Sequence, residues 1–212
     1  MNLSLSHSSK KEDLSAYSKA KRDRIVKAAL ETFLQYGYKG TSMNRVAERA
    51  GVIKQTIYSH FNDKEGLFVA IIESLTLEHF RGQFGERIAS PEAPETVLRK
   101  IAEVFADRQK DKSYIALMRT VVGESSRFPE LARLYVNTVI KPGMKILTDY
   151  FDAHPELNIK DPEACARIFC GSLVSYIMTQ EILYGKEILP FRMERLADNL
   201  IELILRRSSK RN

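Results

Sequence analysis

Two short stretches near the N-terminus carry apolar residues at helical spacing. The apolar positions of the first stretch, residues 41–50, are Met43, Val46, Ala47 and Ala50. Those of the second stretch are Ile53, Ile57 and Phe61. Each set falls on one face of a helix. Gly51 stands between them, and glycine readily adopts the positive φ that a sharp turn requires. The pattern therefore predicts two helices of about two turns in a helix-turn-helix.

A longer amphipathic helix is predicted before this pair. Its apolar stripe is Ile25, Val26, Ala29, Leu30 and Phe33. We expect the helix to cover residues 18–36, with Gly37 ending it at positive φ and Tyr38 contacting Phe33. Residues 1–17 are polar and show no periodicity, so we expect them to form a disordered arm.

A fourth helix follows the helix-turn-helix. Asn62 and Glu65 form a capping-box pattern, and we expect the helix that they open to end at about Ala89. Gly82 and Gly85 lie near its end, where they indicate a bend, a close helix contact or room for a ligand. The helix starts in the helix-turn-helix unit and ends in the domain that follows.

Five more helices complete the predicted all-α fold of about nine helices, because no stretch shows strand-like alternation. We expect the fifth helix to end at about Lys110 and the sixth to begin at Asp111 or Ser113. The seventh is expected to begin at Pro129 and to kink at Pro142. The eighth and ninth helices are predicted over residues 162–184 and 191–207.

The eighth and ninth helices are apolar on more than one face. A helix of this kind must bury both faces, and its own domain can cover only one. A second copy of the chain would cover the other, in a four-helix bundle with two-fold symmetry. A thicker core within one chain is the alternative.

Charge is distributed unevenly along the chain, whose net charge is +6. Residues 1–65 hold 12 Lys/Arg against 7 Asp/Glu, a net charge of +5, whereas residues 66–205 hold 17 against 20. Binding of a polyanion by the N-terminal part follows from this asymmetry. We therefore expect a DNA-binding helix-turn-helix domain over residues 18–65 and a second domain over residues 66–212.

Several classes of protein find no support in the sequence. No apolar run approaches the ~18 residues that span a bilayer, and no signal peptide is evident, so we expect a cytoplasmic protein without membrane association. No glycine-rich phosphate loop, paired-histidine metal site or nucleophile elbow occurs. We therefore expect neither an enzyme nor a cofactor or metal. Cys165 and Cys170 are expected to be buried structural thiols, with a redox switch as the alternative.

The stretch TSMNRVAERAGVIKQTIYSHFNDKEGLF resembles the DNA-binding signature of TetR-type transcriptional regulators. The family usually places a small hydroxyl residue where Ile53 stands, and the loss of such a cap costs about 1 kcal/mol. The later run RFPELARLYV is similar to the C-terminal domain of the AefR-like subgroup, which is often linked to efflux or stress control.

The resemblance implies that the second helix of the pair enters the major groove of double-stranded DNA. Gln55 can then pair with adenine and Lys54 with guanine, whereas Ser59 is permissive. The other implied contacts, mostly with phosphates or with a thymine methyl group, are Thr41, Arg45, Thr56, Tyr58, His60 and Lys64. Thr41 is also expected to cap the first helix of the pair.

The resemblance also implies a pocket for a small apolar or amphipathic effector in the C-terminal domain. The candidate lining residues are Phe80, Phe84, Phe105, Met118, Val121, Tyr135, Met144, Phe169 and Tyr176. We expect a homodimer, held by the eighth and ninth helices, that represses transcription from a palindromic operator until the effector releases it. The alternative is a DNA-bound interaction protein that recruits a protein partner and has a tightly packed interior.

Overall fold

The chain folds into helices, as the sequence predicts. The structure is a computed structural model, and it describes residues 5–84, 88 and 92–206, without the side chains of residues 5–15, 78, 79 and 83. Over this part of the chain there is no strand. The α-helices are α1 Leu5–Gly40, α2 Met43–Ala50, α3 Lys54–Phe61, α4 Lys64–Phe84, α5 Pro94–Lys110, α6 Lys112–Glu124, α7 Pro129–Tyr135, α8 Lys141–Asp152, α9 Pro162–Ile177 and α10 Met193–Leu205.

Two compact units divide the chain, residues 1–74 and residues 75–212. The boundary lies inside α4, whereas we expected it between residues 65 and 66. The predicted end of this helix at Ala89 lies outside the described residues.

The first unit is built around an aromatic cluster. The Phe33 and Phe68 rings lie 4.9 Å apart, and the Tyr38 ring meets both, at 6.1 Å from Phe33 and 5.7 Å from Phe68. Gly37 has φ 67°. The contact of Tyr38 with Phe33 and the positive φ of Gly37 are therefore confirmed. With ψ 179°, however, Gly37 forms a kink inside α1 and does not end the helix in the left-handed conformation that we expected. The other fully buried large side chains of this unit are Ile25, Ile57, Leu67 and Ile72.

Helix α1 begins at Leu5, earlier than the expected start near Ser18. The segment expected to be a disordered arm is therefore helical from Leu5 onward, and residues 1–4 lie outside the described residues. The prediction relied on apolar periodicity, which this segment lacks. Helix formers such as Lys10, Glu12 and Ala16 favour a helix without an apolar stripe.

Two predicted helix caps are wrong by one residue each. Ser42, not Thr41, caps α2, because its Oγ accepts a hydrogen bond from the Arg45 N–H at 3.3 Å. Asp63, not Asn62, caps α4, because its Oδ1 accepts a hydrogen bond from the Gly66 N–H at 2.8 Å. Asn62 instead ends α3 at φ 62°.

The second unit is a helical bundle. Helix α8 packs against α9, α10 packs against α5 and α9, and α6 packs against α7. Its largest fully buried side chains are Leu98, Leu117, Leu131, Phe151, Leu157 and Phe169. These residues form the hydrophobic core of this unit.

Two π-helical turns interrupt the bundle helices. One, Val136–Ile140, lies between α7 and α8, and the other, Met178–Ile182, continues α9. The first splits the expected seventh helix, which accounts for a tenth α-helix over the described ranges. Pro142 follows that turn in the first turn of α8, where a missing N–H is tolerated.

The structure shows the surroundings of Gly82 and the burial of the two cysteines. A Cβ built at Gly82 would meet nothing within 4 Å, so no close helix approach requires this glycine. Gly85 lies outside the described residues. Cys170 is buried, and burial raises the pKa of its thiol to about 12, whereas Cys165 is half-buried. No helix in the described ranges is both long and apolar enough to cross a membrane.

Candidate functional sites: the helix-turn-helix and the C-terminal cavity

The turn between α2 and α3 has the geometry that the sequence predicts. Gly51 lies in the left-handed region at φ 62° and ψ 41°. Its N–H bonds to the carbonyls of Ala47 and Glu48, and the Val52 N–H donates to the Ala47 carbonyl at 3.0 Å. These hydrogen bonds satisfy the last carbonyls of α2 and fix the direction in which the chain enters α3.

Helix α3 separates a buried apolar face from an exposed polar face. Ile57 is fully buried and Phe61 is 5% exposed. The exposed residues of α3 are Lys54, Gln55, Tyr58 and Ser59, whereas Thr56 and His60 are half-buried. The predicted DNA contacts on α3 therefore lie largely on its free surface, and the surface as a whole is suited to hydrogen bonding with base edges and phosphates.

Ile53 departs from the predicted pattern. It immediately precedes α3 as its N-cap residue, it makes no side-chain capping bond, and it is 72% exposed. The four-residue spacing from Ile57 predicted a buried position, which is wrong. The apolar pattern therefore did not reveal an exposed apolar side chain beside Lys54 and Gln55, at the end of α3 where base contacts concentrate.

The predicted DNA contacts outside α3 are Arg45, Lys64 and Thr41, and each side chain makes contacts within the protein. Arg45 donates to the Gly40 carbonyl at 2.7 Å and lies 4.5 Å from the Tyr36 ring centre. The Lys64 ammonium lies 4.2 Å above the Tyr38 ring. Thr41 is buried, and its hydroxyl donates to the Gly37 carbonyl at 2.8 Å. The Thr41 side chain therefore ties the linker before α2 to the last turn of α1.

A cavity of about 690 Å³ opens in the second unit. The end of α5, the first turns of α6, the π turn after α9 and the segment 184–191 line it. Two hydrogen-bonding side chains, the buried Gln180 and the half-buried Tyr176, hold that segment in place. Gln180 donates to the Leu189 carbonyl at 3.0 Å and accepts from the Phe191 N–H at 3.3 Å, and the Tyr176 hydroxyl donates to the Phe191 carbonyl at 2.8 Å.

Most residues predicted to line a pocket lie elsewhere. Tyr176 lines this cavity, but none of the other eight candidates does. The buried candidates are Phe105, Met118, Val121, Tyr135 and Phe169, which pack in the core, and the half-buried ones are Phe80, Phe84 and Met144. The cavity is instead lined largely by polar and basic side chains near helix ends, which apolar periodicity does not reveal.

A groove of about 560 Å³ runs along α9, lined by Ile168, Gly171, Ser175 and residues of the 191–196 segment among others. Ile168 is 62% exposed, and Leu203 on α10 is 63% exposed. Apolar side chains thus remain uncovered on both helices that were predicted to meet a second copy of the chain.

The helix-turn-helix, followed by a helical unit with a cavity, defines a helix-turn-helix transcriptional regulator. Family models agree: "Bacterial regulatory proteins, tetR family" matches residues 25–71, and "AefR-like transcriptional repressor, C-terminal domain" matches residues 96–208. The chain belongs to the TetR family, and both resemblances noted in the sequence are confirmed.

Several individual proteins are similar to this chain. The HTH-type transcriptional regulator RutR of Escherichia coli is 32% identical over 130 residues, which are 61% of this chain and 52% of RutR, so the chain spans about half of that relative. The uncharacterized HTH-type transcriptional regulator YhgD of Bacillus subtilis is 30% identical over 188 residues, 84% of this chain and 91% of YhgD. The solved structure of the Flavonoid-responsive Regulator FrrA matches with a TM-score of 0.63 and 26% identity, over 89% of this chain and 94% of that one.

Proposed function

We propose that this protein is a ligand-responsive repressor that binds a palindromic operator as a dimer and leaves it when a small apolar or amphipathic effector binds. The observation that carries the proposal is the two-sided surface of α3. Its apolar face is buried on the first unit, and its polar face is exposed in the geometry of a major-groove recognition helix.

Base recognition is assigned to the first turn of α3. Gln55 presents an amide that can pair with adenine, and Lys54 presents a cation for the acceptors of guanine. Both side chains are exposed. Tyr58 and Lys64 are assigned to phosphates, which fix the position of the helix without distinguishing sequences.

Ile53 adds a contact of another kind. It offers the exposed apolar surface nearest to these base-reading side chains along the chain. The thymine methyl group is the apolar feature that a base pair presents in the major groove. We therefore assign to Ile53 a contact with a thymine methyl group.

Dimerisation is assigned to α9 and α10. Their exposed Ile168 and Leu203 side chains are suited to burial against a second copy of the chain. Two copies would double the DNA contacts and set the spacing of the operator half-sites.

Effector control is assigned to the cavity of the second unit, whose volume falls in the usual range for small-molecule sites. The name of FrrA describes that relative as responsive to flavonoids. An effector that prefers one of two conformations shifts the population toward it. Helix α4 contributes residues to both units and is the assigned relay.

The proposed base readers can be tested by selecting bound fragments from genomic DNA with wild-type and variant proteins. The double substitution Lys54→Ala and Gln55→Ala should relax sequence preference. Tyr58→Phe or Lys64→Ala should weaken binding to all sequences similarly, because those side chains are assigned to phosphates. An equal loss on every sequence for the Lys54 and Gln55 double variant would contradict the assignment.

Ligand control has its own test. Thermal melting of the full chain with small-molecule libraries should show compounds that raise the melting temperature, and some of these should release the operator in a gel-shift assay. The alternative of a DNA-bound interaction protein without a ligand expects neither result. Operator binding that no stabilising compound reverses would contradict effector release and leave DNA binding intact.

A further inference from the structure

Arg119 on α6 is a half-buried cation that forms no ion pair with any described residue. It lines the cavity of the second unit, and its Nη2 donates to the Glu181 carbonyl at 2.7 Å. Its guanidinium lies 4.4 Å from the Tyr184 ring centre. The Nε is buried and has no hydrogen-bond partner in the described part of the chain. Because a half-buried guanidinium with an unpaired Nε forms strong charge-assisted hydrogen bonds with an anion, this arrangement is suited to binding a negative group.

Other charges around the cavity add to this imbalance. Lys110, Lys112 and Lys186 also line it, against the single carboxylate of Glu181. Glu181 is already paired with Lys186, with 2.7 Å between Oε2 and Nζ. Lys112 makes no ion pair with any residue that the structure describes. Lys110 is paired with Asp107, with 3.4 Å between Nζ and Oδ1. Arg119 and Lys112 are therefore the lining cations that no described carboxylate pairs with.

The wall that carries Tyr184 is held in an unusual backbone conformation. Tyr184 has φ 58°, in the left-handed region that residues with a side chain rarely adopt. The π turn Met178–Ile182 precedes it. A Cβ at Gly185 would lie 2.5 Å from the Thr179 carbonyl oxygen, so the chain presses closely against this turn. Backbone strain and π turns of this kind concentrate at binding sites.

Apolar side chains complete the lining. Ile115, Pro190 and Phe191 face the cavity along with the basic residues. The lining therefore combines a cationic part with an apolar part. A ligand that matched both parts would carry an anionic group on an apolar body.

We propose that this cavity binds an anionic amphipathic molecule, a carboxylate or phosphate attached to an apolar body, with Arg119 as the anchor of the anionic group. The proposal rests on the proposed function, in which such a molecule would be the effector. It narrows an effector of unspecified charge to one that carries a negative charge.

The test compares ligands that share one alkyl chain and differ in the head group. Decanoate, decyl phosphate, decan-1-ol and decyltrimethylammonium are titrated into the full-length protein by isothermal calorimetry, without DNA. Wild-type protein should bind one or both anions at least about tenfold more tightly than the alcohol, because charge-assisted hydrogen bonds add to the apolar contact. The tighter of the two anions identifies the head group, and the cation should bind most weakly.

Variants then test the anchor. Arg119→Met should abolish the preference for the anions and leave the affinity for decan-1-ol nearly unchanged, whereas Arg119→Lys should retain part of the preference. Lys112→Met, at an exposed position, should weaken anion binding about threefold and serves if Arg119→Met does not fold. Arg133→Met, at an exposed position on α7 that does not line the cavity, is the matched control and should bind as wild type does.

The proposal is overturned if wild-type protein binds no anionic probe at millimolar concentration, or binds the alcohol or the cation as tightly as the anions. It is also overturned if Arg119→Met folds and still prefers the anions to the alcohol. If Arg119→Met does not fold, unchanged anion affinity in Lys112→Met overturns it. Loss of as much anion affinity in Arg133→Met as in the cavity variants also overturns it. Anion binding without operator release would support the site and contradict only its role in regulation. Operator binding by a protein that binds no anion would overturn the site and leave the DNA-binding function standing.

Discussion

Gly66 occupies a position in the first turn of α4 where a side chain has no room. A Cβ added there would lie 2.1 Å from the carbonyl oxygen of Phe61 and 3.2 Å from its carbonyl carbon. Both atoms belong to the backbone at the last residue of α3, so no side-chain rotation relieves the overlap. Gly66→Ala therefore has to move the end of α3 away from the start of α4.

The size of the effect follows from that overlap. Cβ atoms essentially never approach another atom closer than 3.0 Å, so the backbone must give by about 1 Å. Overpacking of this kind costs about 1–3 kcal/mol, and the better helix propensity of alanine offsets up to about 1 kcal/mol. Because the overlap is large and the atom that Cβ meets is backbone, the cost lies at the upper end, about 3 kcal/mol, and the offset leaves a net loss of about 2 kcal/mol in the free energy of unfolding.

Two other glycines provide matched controls for the same substitution. Gly51 has φ +62° and open space around a built Cβ, so Gly51→Ala meets only the left-handed backbone conformation and should cost about 1 kcal/mol. Gly123 lies in α6 with nothing within 4 Å and no positive φ, so Gly123→Ala should be neutral or stabilise by about 0.5 kcal/mol.

Urea unfolding followed by circular dichroism, at one fixed protein concentration, measures all three variants. A fixed concentration is needed because the stability of an associating protein depends on it. The expected order of stability is Gly123→Ala, then Gly51→Ala, then Gly66→Ala. If Gly66→Ala is no less stable than Gly51→Ala, the close approach of α3 to α4 is refuted.

Three further predictions concern exposed and buried side chains. Ile53→Ala should weaken operator binding about fourfold, because the loss of one apolar contact of methyl size costs about 0.8 kcal/mol. Replacing the contacted thymine with deoxyuridine removes the methyl group and should not weaken the binding of this variant further. Losses that add independently would contradict the contact. Ile168→Asp should convert dimers to monomers in sedimentation velocity, whereas Val122→Asp, on an exposed apolar residue of α6, should not. Burial raises the Cys170 pKa from 9.0 to about 12, so the stabilising effect of the neutral thiol is present below pH 9 and is lost as the pH rises toward 12. The difference in free energy of unfolding between wild type and Cys170→Ala should therefore narrow between pH 9 and pH 12. A constant difference would contradict the burial effect.

The helix-turn-helix could be predicted because its determinants are local. The buried Ile57 and the left-handed Gly51 follow from spacing and from the conformational freedom of glycine. The position of Ile53 could not, because its spacing from Ile57 continues the buried stripe although the helix starts one residue later. Periodicity describes residues inside a helix, and Ile53 lies just outside it.

The choice of capping residue depends on contacts between helices. Thr41 and Ser42 are adjacent hydroxyl residues, and both are able to cap α2. In the structure the Thr41 hydroxyl donates to the Gly37 carbonyl, which leaves Ser42 as the cap. This outcome depends on the path of the chain after the positive φ of Gly37, which the pattern of apolar residues does not specify.

The predicted lining residues and the residues that line the observed cavity differ for a related reason. Apolar periodicity identifies side chains that face inward, and Phe105 and Phe169 do face inward, where they pack in the core. Whether an inward-facing side chain packs in the core or lines a cavity depends on how the ends of the helices meet. Arg119 and the other basic lining residues carry no periodic pattern, so only the three-dimensional arrangement reveals them.

The π turn at Met178–Ile182 makes the protein sensitive to the number of residues, not only to their identity. A π turn holds one residue more than an α-helical turn, so a single-codon deletion there would restore a regular helix. The chain after the deletion would rotate by about 100° relative to α9. Gln180 could then no longer meet the backbone of Leu189 and Phe191, and homologues that differ by one residue in this turn should have differently shaped cavities.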